Sequence, residues 1–93
     1  MAYKFEWDKG NSTKSIVKHG ISNAEAESVF DDASRRVRLD LKHSGTETRY
    51  ICIGESVFGR ILFVYFTERN GNIRIIGTRS ANIKERLFYE KGT

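Results

Sequence analysis

Two long apolar runs, RILFVYFTE (60–68) and IRIIGTR (73–79), are joined by Arg69-Asn70-Gly71-Asn72. Asn-Gly closes a two-residue hairpin because both central positions of a type I′ turn take a positive φ. That joint sets a register in which Thr67 opposes Arg74, Tyr65 opposes Ile76 and Leu62 opposes Arg79. Upstream, TRYICIGE (48–55) is a further strand, linked by SVFG (56–59). Read as a four-residue loop, the link sets Ile53 against Leu62 and Tyr50 against Tyr65. RRVRLDL (35–41) places Val37, Leu39 and Leu41 on one face and charges on the other, as an edge strand with one solvated side does. KHSGTE (42–47) is the loop between. These pieces make a four-stranded antiparallel meander.

In this register one face collects Ile51, Ile53, Leu62, Val64, Phe66, Ile73 and Ile75, the expected core. The other collects Thr48, Tyr50, Cys52, Phe63, Tyr65, Thr67, Arg74 and Thr78. Aromatic planes accept any base and arginine binds a phosphate backbone, so this second face suits nucleic acid. Packing beneath a covering helix would use the same side chains. A slip of one residue would exchange the faces.

Before the meander, Tyr3 to Trp7 alternates like a first strand. Asn11 or Ser12 is placed to cap a helix running to about Val17, with Lys18 and His19 in or near its last turn and Gly20 free to take the left-handed conformation. Lys18-His19-Gly20 therefore has a purely structural reading, cations at the negative end of a helix dipole followed by a stop. Ser22 and Glu25 form a capping box opening a second helix, with Ile21 stapled onto Ala26. This helix carries Ala26, Val29 and Phe30 inward and ends near Asp31-Asp32. After the meander, Ser80 or Asn82 caps a last helix, IKERLFYEK, with Ile83, Leu87 and Phe88 inward. The order is β-α-α-β-β-β-β-α, an α+β fold in one domain, residues 1–93, with two N-terminal helices and one C-terminal helix.

With 39% hydrophobic and 30% charged residues the chain has the composition of a folded globule. Its longest apolar run, Ile61 to Phe66, falls far short of the roughly 20 residues that span a bilayer, and MAYKFEWDKG lacks a signal peptide's apolar centre. A cytoplasmic protein with no membrane partner is expected. The lone Cys52 sits in a strand pattern and reads as a small buried side chain. His19 and His43 are distant in sequence, and Gly54 and Gly59 flank a hairpin rather than a phosphate loop. No metal and no cofactor are expected.

The net charge of +4 is unevenly placed. Through Glu47, basic and acidic residues match one for one; from Thr48 onward eight basic residues face four acidic ones, and six of the eight are arginine, whose planar fork suits phosphate. A reaction that needs only cations and proton transfer fits such a chain. RNA cleavage by its own 2′-hydroxyl is one: a base takes the hydroxyl proton, cations stabilise the phosphorane, and an acid protonates the leaving oxygen.

FEWD (5–8), KHGI (18–21), EAESVFDD (25–32), HS (43–44), RYICIG (49–54), GRILFVYFTER (59–69) and IRIIGTRSAN (73–82) with Glu85-Arg86 together resemble the BrnT toxins, in order and nearly end to end. The resemblance implies a RelE-like fold and a ribonuclease toxin of a type II toxin–antitoxin pair, cutting RNA without a metal and inhibiting translation. It implies a BrnA-like ribbon-helix-helix antitoxin as partner, a two-plus-two heterotetramer, and operator DNA reached through the antitoxin. It places Arg49, Arg74 and Arg79 on phosphate and transition state, and Lys18, His19, Glu68 and Tyr89 as further catalytic candidates. Tyr50, Tyr65 and Thr67 are the expected RNA-binding side chains. The chain departs from common members in lacking proline, with DDASRRVRLD after VF where others often carry one. Other readings remain beside these: a non-catalytic RNA-binding or co-repressor subunit, or a protein-only interaction domain. Arg49 and Arg79, on the expected core face, have an alternative as partners of Glu55, Glu68 or Glu85. The residues favour Glu68 as an ion-pair partner over a general base, and Trp7 as a core anchor over a base-stacking platform.

Overall fold

The computed structural model describes residues 3–12 and 14–92. Helix α1 is Lys14–His19 and α2 is Asn23–Ser28, which runs on into a 3-10 turn, Val29–Asp31. Four strands follow, β1 (Arg36–Leu39), β2 (Tyr50–Glu55), β3 (Ile61–Arg69) and β4 (Asn72–Ser80), and then α3 (Ile83–Lys91). The strands form one antiparallel sheet in the order β1-β2-β3-β4. This is an α+β architecture around a four-stranded antiparallel meander.

The β3–β4 hairpin closes on Asn70 and Gly71, with φ of 53° and 80°, and Thr67 pairs with Arg74. Beyond that the expected register breaks. Tyr65 pairs with Gly77 and Phe66 with Ile75, so Ile76 is an extra residue in β4, a bulge that shifts all later pairs. Leu62 therefore meets Ser80, and Arg79 meets Phe63. The β2–β3 link is also one residue longer than expected, since Glu55 pairs with Ile61. Ser56 N–H donates to the Arg60 carbonyl (2.8 Å) and Gly59 N–H to the Ser56 carbonyl (2.9 Å), with Gly59 at φ 81°. Ile53 thus faces Phe63, and Tyr50 faces Phe66.

Because side chains alternate, that single residue turns β2 over. Cys52 joins the core, while Ile51 and Ile53 point to the opposite face. The core cluster contains Leu62, Val64 and Phe66 of β3 and Ile73 and Ile75 of β4, closed by Ile21, Ala26, Val29 and Phe30. Phe30 is its aromatic hub, edge-on to Phe66 (5.1 Å between centroids) and Phe5 (5.3 Å); Tyr50 stacks on Phe66 at 5.4 Å. Burying side chains of this size contributes about 1.5–3 kcal/mol each. Ile51 and Ile53 are buried as well, beneath the other face, so β2 is apolar on both sides, and the contact of Arg60 with Glu25 sets the length of the link.

The expected first strand is reduced to one parallel bridge, Phe5 to Ile73. Glu6 N–H donates to the Ile73 carbonyl and Ile73 N–H to the Lys4 carbonyl, both at 2.8 Å. The chain then turns at Asp8, and the buried Asn11 side chain takes over, its amide donating to the carbonyls of Glu6 (2.9 Å) and Ile75 (2.8 Å). Asn11 does a strand's hydrogen bonding on the β4 edge, and α1 opens at Lys14, its cap position lying outside the described residues. Trp7 packs against the core and its indole N–H donates to Glu27 (2.6 Å), the anchor reading.

Ser22 Oγ accepts from Glu25 N–H (3.1 Å), but the Glu25 carboxylate does not return to complete the expected box. It is buried instead under Arg60, which donates two hydrogen bonds of 2.6 Å, and Ser56, which donates at 2.7 Å. The reciprocal box occurs at α3, between Asn82 and Glu85. There the expected inward side is corrected: Ile83 and Leu87 are exposed, and Glu85, Phe88 and Tyr89, three and four residues apart, face the sheet. What α3 meets is the other face of the sheet, over Ile53 of β2, with Arg38 of β1 and Arg79 of β4 reaching its side chains, and not the aliphatic cluster. Val37, Leu39 and Leu41 are exposed too, so the apolar side of β1 is left uncovered along the sheet's edge.

Candidate active site

The face turned outward by the register carries Arg36, Arg38, Ile51, Ile53, Phe63, Tyr65 and Arg79 on paired strands. α3 covers its β1–β2 end, where Phe88 lies under the Arg38 guanidinium, 5.1 Å from Cζ to centroid. Next to α3 a cavity of about 350 Å³ stays open. Its floor is Ile51, Phe63 and Tyr65; its walls are Arg49, Arg79, Asp40 and His43.

Arg79 is fixed twice. Its guanidinium lies 4.1 Å over the Phe63 ring, and it donates to both Glu85 oxygens at 2.8 and 2.9 Å. Burial by itself would raise the Glu85 carboxyl, but the bonds from Arg79 and from Asn82 N–H leave it below the usual carboxylate value. The same pair raises Arg79 above the ordinary guanidinium value. Tyr65 lies flat across β4 because residue 77 is glycine, and a Cβ there would collide with the ring.

Arg49 is positioned by the β1–β2 loop. Its carbonyl accepts from Asp40 N–H (2.8 Å), and its N–H donates to Ser44 Oγ (3.0 Å), which donates on to the Asp40 carbonyl (2.8 Å). The Asp40 carboxylate accepts from His43 Nδ1 at 3.0 and 3.2 Å. No hydrogen bond or ion pair holds the Arg49 guanidinium among the described residues.

Of the expected site residues, Arg49, Arg79 and Tyr65 come together here. Arg49 and Arg79 do share a face with Ile51 and Ile53, but it is not the core face. Arg74 lies elsewhere, paired with both Asp8 oxygens at 2.8 and 3.0 Å. Lys18 and His19 are exposed at the end of α1, ahead of Gly20 at φ 68°, the helix-stop arrangement. Glu68 is exposed next to the β3–β4 turn, on the rim of a separate cavity with Lys4 and Arg35. The Tyr89 hydroxyl donates to Asp32 (2.6 Å), and that bond together with burial pushes it up to about 12. Tyr50 belongs to the core face, and Thr67 is fully buried. The cavity also takes in side chains that were not among the expected site residues, Asp40 and His43. Their signal was a spacing of three across a turn, Asp-Leu-Lys-His, masked because Asp40 also fits the strand alternation of RRVRLDL.

Among the described residues no three His, Cys, Asp or Glu side chains gather into a metal-ligand group, and no helix is long and apolar enough to cross a membrane. What the cavity can do chemically is hold an anion between two guanidinium groups beside aromatic rings, with an imidazole at its rim.

Comparison with curated proteins returns no match. Among solved structures the chain is similar to the ribonuclease toxin BrnT of Brucella abortus, at 26% identity and a TM-score of 0.63, covering 87% of this chain and 99% of that one. The family model described as "Ribonuclease toxin, BrnT, of type II toxin-antitoxin system" matches residues 7–85, which include every wall of the cavity and the strands beneath it. The chain belongs to the BrnT family of ribonuclease toxins of type II toxin–antitoxin systems.

Proposed function

We propose that this chain, as a single RelE-like domain, is a metal-independent endoribonuclease that cleaves RNA by attack of the 2′-hydroxyl on the adjacent phosphodiester. One observation carries the reading: Arg49 and Arg79 converge on one open cavity beside Phe63 and Tyr65. In the reaction the O2′–P bond forms, the P–O5′ bond breaks, and the products are a 2′,3′-cyclic phosphate and a 5′-hydroxyl. Negative charge gathers on the non-bridging oxygens of the phosphorane, where a guanidinium fork already held in place stabilises it without reorganising. Phe63 presents Arg79 at a fixed height, and Tyr65 offers a ring for a neighbouring base.

Cleaving messenger RNA stops translation, and a BrnA-like ribbon-helix-helix antitoxin would restrain it in a two-plus-two complex that reaches operator DNA through the antitoxin. A cytoplasmic location goes with this role. The non-catalytic RNA-binding or co-repressor reading draws on the bidentate hold of Glu85 on Arg79, since a carboxylate there competes with phosphate. The purified chain is to be incubated with RNA in excess EDTA, and fragments ending in 2′,3′-cyclic phosphate are expected. A substrate with 2′-deoxyribose at the cleaved position should stay whole. RNA that is bound but intact supports the co-repressor reading instead.

A further inference from the structure

The arginines stabilise charge but cannot take a proton at neutral pH, so the reaction needs a base that the cavity must supply. We propose that His43 is the general base of the cleavage and that Asp40 is its positioning residue. The inference rests on the ribonuclease reading above and names the group that completes it.

The loop holds the pair in a defined arrangement. The Asp40 side chain is only 14% exposed and the His43 side chain 59% exposed. The shielded carboxylate takes the Nδ1–H, which leaves the imidazole with its lone pair on Nε2, and Nε2 has no hydrogen bond among the described residues. Fixing the tautomer through the other ring nitrogen is how a histidine base is kept in its working form. The Ser44 hydroxyl, tied to the Asp40 carbonyl and the Arg49 N–H, locks the dyad to the same strand start that carries Arg49. The charged and titratable groups facing His43 are Asp40 on its own loop, Arg49 at the start of β2, Tyr65 on β3 and Arg79 on β4, with Glu85 of α3 behind Arg79.

The other candidates are committed elsewhere. Glu85 is occupied by Arg79 and Asn82 N–H, Tyr89 by Asp32, and His19 stands outside the cavity. Cys52 is fully buried on the opposite face. Imidazole is also the side chain whose charge changes around neutral pH, the range in which a base for RNA cleavage works best. In the step, Nε2 takes the 2′-hydroxyl proton as the O2′–P bond forms. The O5′ electron pair leaves phosphorus and takes a proton from water, and the imidazolium returns its proton to solvent.

The test uses the full chain and an RNA oligonucleotide with one cleavable position, with kcat, KM and the pH profile measured for wild type, His43→Ala, His43→Asn and Asp40→Asn. Binding of the 2′-deoxy oligonucleotide serves as a check that each variant is folded. Both His43 variants should lose about 10²–10⁴-fold in kcat, with KM and binding held and the acid limb of the profile gone. Added imidazole should restore part of the His43→Ala rate. Asp40→Asn should lower kcat without raising KM, and Asp40→Glu should recover some of the loss. If wild type cuts RNA and the His43 variants cut equally fast, the proposal is overturned while the ribonuclease reading stands. Loss of binding in step with cleavage in both His43 variants, or no rescue by imidazole, likewise overturns it. If wild type cuts nothing, both fall together.

Discussion

On the face of the sheet under α1 and α2, the one buried carboxylate among the described residues, Glu25, is fully used: Arg60 and Ser56 saturate it, and the arginine's outer edge reaches the Gly20 carbonyl at 3.2 Å. On the face under α3, the Arg49 guanidinium and His43 Nε2 make no hydrogen bond among the described residues, and the carboxylate that engages Arg79 is 15% exposed in its side chain. Both faces use the same pairing of arginine with carboxylate. The difference is in what surrounds it. A pair whose acid is 2% exposed is a structural joint, because separating it leaves a charge out of water. A pair at the mouth of a cavity can open toward an incoming phosphate, since solvent and neighbouring dipoles screen the groups it releases.

The sharpest way to break the comparison is to remove the arginine at the mouth. Arg79→Ala should cut cleavage by about 10²–10³-fold, the range seen when a preorganised donor to developing negative charge is lost. The melting temperature should change little, because Glu85 keeps the Asn82 N–H and contact with solvent. Arg79→Lys should recover binding more than rate, since a point charge replaces the fork that Phe63 holds flat. RNA cleavage assayed beside thermal unfolding separates the two effects. A variant that stays fully active would move the site off this face.

How this division could be read in the chain depends on where its causes lie. Asn70-Gly71 is a local cause, and the hairpin and the Thr67–Arg74 pair followed directly from it. The bulge at Ile76 is not local: IRII offers apolar side chains at both 75 and 76, and either could have been the one turned inward. The length of the β2–β3 link depends on Arg60 reaching Glu25, 35 positions earlier, and no loop statistic contains that contact. The extra residue of the link decided which of Cys52 and Ile53 entered the core, and the bulge set Arg79 beside Phe63 on the opposite face. Arg49 and Arg79 were named through the resemblance to the BrnT toxins and Tyr65 as a ring that suits bases, and the three line one cavity. Asp40 and His43 were not, since their pairing needs a loop conformation that Ser44 sets.

Glu25→Gln tests the structural half. The amide keeps the shape but loses the charge-assisted bonds from Arg60, which is 43% exposed on its own side and so partly compensated by water. A loss of about 1–3 kcal/mol in unfolding free energy is expected, with cleavage by the folded fraction unchanged. The Arg60 guanidinium holds the Glu25 carboxyl below its ordinary value, against burial that pushes the other way. A carboxyl lowered on folding contributes stability that is present above its unfolded value and lost as pH falls through the lower folded one. Wild type should therefore exceed Glu25→Gln at neutral pH and converge on it below the ordinary carboxylate range. Denaturant titrations at stepped pH check this; a constant gap down to strong acid would remove the charge from the explanation.

Arg74→Ala should have the smallest effect, and it sharpens the contrast because Arg74 is an arginine on a strand of the same sheet, two pairs from the hairpin turn. Its side chain is only 11% exposed and is held by both oxygens of Asp8, whose carboxyl it keeps below the usual value; Asp8 in turn accepts from the Gly10 N–H at 2.8 Å. The contact fastens the turn at Asp8 onto β4, where Gly10 leaves room for the guanidinium and a Cβ would stand 3.0 Å from its nitrogen. Losing it should change cleavage by no more than about twofold, because Arg74 does not line the cavity. Faster exchange of the Gly10 and Asn11 amides should report the loosened turn. If Arg74→Ala instead abolishes cleavage while Arg79→Ala does not, the phosphate path runs along the Asp8 edge of β4, and the cavity beside α3 is a gap in the packing rather than the site.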